Sequence, residues 1–175
     1  MIKAMFAGFL LTIFFLTTSG FAQDSLGAPG CGDPKAKFDV KTGRGQSSAQ
    51  PDAGEALVYF IEDDSNFGST PKPTARMGID GAWIGATHGS SFFYVSVDPG
   101  VHHLCASWQR KVVLGSGDLT SAAHFTAEAG SVYYFVVRDI WALNGPRDMN
   151  LSPLDGDEGQ LLVNRFSLST FRPKN

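Results

Sequence analysis

Apolar residues in this chain recur in short runs with period two, broken every eight to twelve positions by Gly, Pro, Asp or Asn, and a helical period of convincing length is absent from the segment after residue 22. That pattern predicts an all-β domain. Residues 56–61, ALVYFI, are apolar on both faces and predict a central strand. Residues 74–79 and 82–85 flank Asp80-Gly81, a dipeptide that accepts positive φ at both central positions of a tight hairpin, which places Met77, Ile79, Ala82 and Ile84 on one face. Strands are also expected at 91–97 and 101–108, joined through Asp98-Pro99-Gly100. Pairing Val97 with His102 gives one apolar face of Phe93, Val95, Val97, Leu104, Ala106 and Trp108, interrupted only by His102, and an opposite face holding Phe92, Tyr94, His103 and Cys105. Segments 122–127 and 131–138 flank the turn Glu128-Ala129-Gly130. Residues 139–159 read as a long polar loop, and 160–170 as either a strand or a segment opening with a short helix.

The N-terminal third is organised differently. Residues 1–22 carry one charge, Lys3, then an apolar run too short for a membrane span, then Gly20-Phe21-Ala22. This predicts a secretory signal peptide cleaved near Ala22, with an uncleaved anchor as the alternative. Residues 23–53 are rich in Gly, Pro, Ser and Gln and read as a linker, flexible from 43 to 54, with a possible edge strand at 37–41. The domain proper is then 54–175, a single antiparallel β-sandwich of about seven strands, transthyretin-like or immunoglobulin-like.

Composition narrows the function classes. Hydrophobic residues make up 43% and charged residues 18% of the 175 positions, proportions of a folded chain rather than a disordered one. The net charge is −3 and no Lys/Arg cluster occurs, so the chain lacks the basic surface that nucleic acid or anionic lipid requires. Only two cysteines are present, Cys31 and Cys105. In an exported protein they predict one disulfide, stabilising by roughly 4 kcal/mol through loop closure.

The order ALVYF, IDGAWIG, SFFYVSVDPGVHHLCASWQ and FTAEAGSVYYFVV, across residues 54–138, resembles an exported bacterial family known as domain of unknown function 2846. The resemblance implies a transthyretin-like or prealbumin-like sandwich of the cell envelope and implies no activity. Lipoprotein members carry a lipid-attachment cysteine directly after the apolar run; Cys31 lies well beyond it, which favours a soluble periplasmic or secreted form.

Candidate chemistry is sparse. His103 and Cys105 share a strand face and, with His88 or His124, would supply nitrogen and sulfur ligands for zinc or copper; a disulfide at Cys105 would remove the thiolate. No serine lies in a nucleophile-elbow context, and the acidic runs Asp63-Asp64 and 155–158 lack calcium-loop spacing. Trp83, Phe92, Tyr94 and Trp141 form either an exposed patch able to stack on sugar rings or a face covered by the N-terminal tail. The reading is therefore a non-catalytic envelope module, without cofactor, that binds a protein or small molecule, with metal binding and carbohydrate binding as the alternatives.

Overall fold

The computed structural model describes residues 31–45, 48–68, 71–109, 119–141 and 147–174; the expected signal peptide lies outside them. Ten strands and one helix occur among the described residues: β1 (Phe38–Gly43), β2 (Ala56–Asp63), β3 (Thr74–Ile79), β4 (Ala82–His88), β5 (Ser91–Val97), β6 (Gly100–Trp108), β7 (Thr120–Ala127), β8 (Val132–Trp141), β9 (Arg147–Leu154), α1 (Gly156–Arg165) and β10 (Ser167–Pro173). They form two sheets, one six-stranded in the order β1-β10-β5-β2-β8-β9, the other four-stranded in the order β4-β3-β6-β7. The all-β sandwich-like expectation is met, with ten strands in place of seven. The larger sheet is mixed rather than antiparallel, since β2 runs parallel to β8 and β10 parallel to β5.

The main core lies between the sheets. Val58, Phe60, Phe93, Phe135 and Val137 of the larger sheet meet Ala75, Met77, Leu104, Ala106 and Trp108 of the smaller one, all essentially inaccessible to water. A second core covers the outer face of the larger sheet, where Leu57, Tyr59, Ile61, Phe92 and Val136 pack under Leu162 and Val163 of α1. This explains why residues 56–61 are apolar at every position: both faces of β2 are buried.

Two sequence expectations are corrected here. β5 and β6 do not pair; β5 lies beside β2 and β10, β6 beside β3 and β7, so Asp98-Pro99-Gly100 carries the chain from one sheet to the other. The Val97–His102 register is therefore absent. The division into faces survives, because inward positions of two opposed sheets share the periodicity that two faces of one hairpin would show. The described residues of 139–159 are also no long loop: β8 continues to Trp141, β9 pairs with it, and Asp155 caps α1 by accepting from Asp157 N–H and Glu158 N–H, both at 2.9 Å. Residues 160–170 hold both expected forms, the end of α1 followed by the start of β10.

The Asp80-Gly81 hairpin forms as expected, with φ of 50° and 85° at its central residues. A bulge between Met77 and Gly78 leaves Ile84 without a register partner, and its side chain packs on the main core. The predicted edge strand appears as β1, paired with β10 along its whole length. In the stretch read as a flexible connection most described residues are exposed, and Ala49 N–H donates to Tyr59 Oη at 2.9 Å.

Candidate functional site

The outer face of the smaller sheet is built around Arg76. Its position on β3 points it away from the main core, and the N-terminal segment lies across it. Arg76 Nη1 donates to the carbonyls of Pro34 and Ala36 at 2.9 and 2.8 Å, and its guanidinium stacks 4.4 Å from the Trp83 ring. Trp83 Nε1 in turn donates to Asp33 O at 2.7 Å. The Cys31–Cys105 disulfide fixes the start of this segment to β6, with the two Cα atoms 5.1 Å apart. Residues 31–36 thus form a strap, held by one covalent bond and a buried guanidinium. No sequence period announces it, since Arg76 reads as an ordinary surface residue until its carbonyl partners are known.

The aromatic candidates are separated by this arrangement. Trp83 is half-buried beneath the strap on the smaller sheet. Phe92, 1% exposed, and half-buried Tyr94 lie on the larger sheet, packed with Tyr59 in the second core. The side chain of Trp141 lies outside the described part of the structure. Trp83, Phe92 and Tyr94 therefore do not share one surface.

The histidines divide likewise. His88 ends β4, where its Nδ1 lies 3.1 Å from Thr74 Oγ1. His103 sits on the outer face of β6 directly opposite His124 of β7, with ring centroids 6.5 Å apart. Cys105 is committed to its disulfide, and no group of three or more His, Cys, Asp or Glu side chains suited to a metal ion occurs among the described residues. His102 joins two turns: Nδ1 meets Asp80 Oδ2 at 2.7 Å and Nε2 meets the Asp98 carbonyl at 2.8 Å. Burial pulls the His102 pKa down, but the Asp98 carbonyl and the Asp80 carboxylate outweigh it and leave the value raised.

One polar cluster had no sequence signal. Glu62 and Asp139 continue the inward-facing rows of β2 and β8 into the space between the sheets, and both are fully buried, with Asp64 4% exposed beside them. Trp108 Nε1 donates to Asp139 Oδ1 at 3.0 Å. Among the described residues neither Glu62 oxygen nor Asp139 Oδ2 has a well-formed hydrogen bond, and the Thr87 hydroxyl only partly offsets the burial of Glu62. Burial first, and the Asp139 charge second, push the Glu62 pKa well above the carboxylate range; burial likewise pushes Asp139 up to about 6. A proton held on Glu62 converts an orphaned acceptor into a donor toward Asp139. Lys72 closes this end from outside, its Nζ 3.3 Å from Asp64 Oδ2 and donating to the carbonyls of Asp64 and Phe67.

On the outer side of Lys72 lies a cleft of about 460 Å³, walled by Phe38 and Val40 of β1 and by Pro71 and Pro73. Lys72, His88 and Gln109 bring polar groups to it, and Asp39 and Lys174, paired with each other at 3.2 Å, also line it. Gln109 is held there by main-chain bonds: its Oε1 accepts from Phe38 N–H at 2.6 Å and its Nε2 donates to Phe38 O at 3.0 Å. Apolar walls with a few fixed polar groups are the general make-up of a small-ligand site.

No protein-family model, curated protein or solved structure matches this chain. Among the described residues no helix is long and apolar enough to cross a membrane.

Proposed function

We propose that this protein is an exported, non-catalytic β-sandwich module of the cell envelope that binds a small, partly apolar molecule in the cleft beside Lys72. The observation that carries the reading is the cleft itself, where Phe38, Val40, Pro71 and Pro73 converge with Lys72 and His88. Export is supported by the apolar N-terminal run ending at Ala22 and by the disulfide, a bond that persists in oxidising compartments.

The test is a fragment titration of ¹⁵N-labelled protein with the disulfide intact. Chemical-shift changes confined to residues 38–40, 72–74, His88 and Gln109, lost in Phe38→Ser, support the cleft. Changes located elsewhere, or none across a library of mixed apolar and polar fragments, overturn it.

A further inference from the structure

The backbone geometry of β6 gives the two exposed histidines a relationship that sequence could not supply. Asp80 N–H donates to His103 O, and Gln109 N–H donates to Thr74 O, so odd-numbered positions of β6 turn their main-chain groups toward the β3 side. Trp108 N–H donates instead to Leu119 O, on the β7 side. His103 therefore makes no ladder bond to His124, and the two form a non-hydrogen-bonded antiparallel pair. Such pairs bring opposed Cα atoms to about 4.5 Å and their side chains closer than any other cross-strand position does.

The surroundings leave space above that pair. Both rings are exposed, Cys105 and exposed Ala122 occupy the next position toward the strap, and Val101 and Thr126 the position on the other side. No acidic or basic side chain of β6 or β7 occupies these adjacent positions. Two imidazoles from facing strands can then turn to share one ion about 2.0–2.1 Å from each nitrogen, with water completing the shell.

We infer that His103 and His124 form an open, two-histidine chelate for a borderline divalent transition-metal ion. Of the ligand set expected from sequence, the site keeps His103 and His124, which face each other across the sheet, and loses Cys105 to its disulfide. Imidazole donors select copper, nickel or zinc over calcium and magnesium, and among first-row ions copper binds tightest. The geometry is bidentate and water-completed, so the ion is exchangeable rather than structural. It lies on the smaller sheet, apart from the cleft residues, and stands or falls independently of that site.

The experiment uses untagged protein with the Cys31–Cys105 bond intact, titrated with Cu²⁺ and separately with Zn²⁺ by calorimetry. Paramagnetic broadening by Cu²⁺ is mapped by NMR. The expected result is about one equivalent per chain, Cu²⁺ tighter than Zn²⁺, with broadening centred on His103 and His124. His103→Gln and His124→Gln should each weaken binding by about tenfold or more, while His88→Gln leaves it unchanged. Both positions are exposed, so thermal melts of the metal-free variants should match the parent. Absence of saturable binding, parental affinity retained in either of these two variants, or broadening centred on the chain's amino terminus or His88 overturns the inference.

Discussion

Trp108 reaches across the sandwich to donate its indole N–H to Asp139, joining the last residue of a strand in one sheet to a buried carboxylate in the other. That bond satisfies one oxygen of a pair of acids buried side by side between the sheets. The pair makes stability depend on pH. Both folded-state pKa values are raised, so the folded protein keeps protons that the unfolded chain releases above about pH 4. Stability contributed by this pair is present at low pH and declines as pH rises through about 6, where Asp139 ionises, and further as Glu62 does. For Asp139 the loss is on the order of 3 kcal/mol. Glu62→Gln removes the acid and supplies an amide donor toward Asp139. Urea midpoints measured from pH 4 to 9 should fall less steeply in the variant, and parallel curves would contradict this account.

Removing the disulfide should loosen the strap before it disturbs the sheets. The bond closes a separation of 74 residues, and Cys31→Ser with Cys105→Ser should cost about 4 kcal/mol by the loop-closure argument. Trp83 loses its cover at the same time. Denaturant midpoints give the first quantity, and acrylamide quenching of tryptophan fluorescence reports the second. A double variant with parental stability would show that Arg76 alone holds the strap.

Gly159 offers a case where helix propensity and packing oppose each other. Alanine in a helix interior normally gains up to about 1 kcal/mol over glycine. Here a Cβ would lie 2.2 Å from Cγ of Tyr134, because the buried side of α1 rests directly on that ring. Gly159→Ala should therefore destabilise, by about 1–3 kcal/mol as in other overpacked sites. Thermal melts decide the sign, and a stabilised variant would mean that the helix does not seat on Tyr134.

His102 should titrate above its ordinary value of 6.5 in NMR. Asp80→Asn keeps a residue that tolerates the positive φ of the turn while removing the carboxylate, so the His102 value should fall. Because the folded value is raised, the stability His102 contributes is present below the unfolded pKa and is lost as pH rises through the folded one. An unchanged titration in the variant would assign the shift to Asp98 alone.

The faces of the strands were legible in the sequence, and so were the hairpin at Asp80-Gly81 and the disulfide, because alternation, turn chemistry and cysteine number are local or compositional signals. Neighbour relations were not. Phe93 and Leu104 alternate in phase whether they lie on one sheet or on two opposed ones, and only the three-dimensional path of Asp98-Pro99-Gly100 distinguishes the cases. The same blindness left the partner of His103 open between His88 and His124: His103 could be placed on a face, but β7 could not be placed beside it. Glu62 escaped notice because an acid at the end of an apolar strand looks like the start of a solvated loop. β9 was missed since Arg147–Leu154 is polar and contains Pro153, which an outermost strand of a sheet tolerates.

β1 pairs along its length with β10, so the first strand of the sandwich waits for the last. In synthesis, residues 38–43 emerge before the only ladder partner they have among the described residues, 167–173. Closing that long loop comes before the contact that rewards it, which places this protein among chains of high contact order, whose folding is slow. A chain truncated before Ser167 keeps every residue of β1 and loses the one strand that pairs with it among the described residues. The edge of the larger sheet is in that sense a record of whether residues 167–173 have arrived.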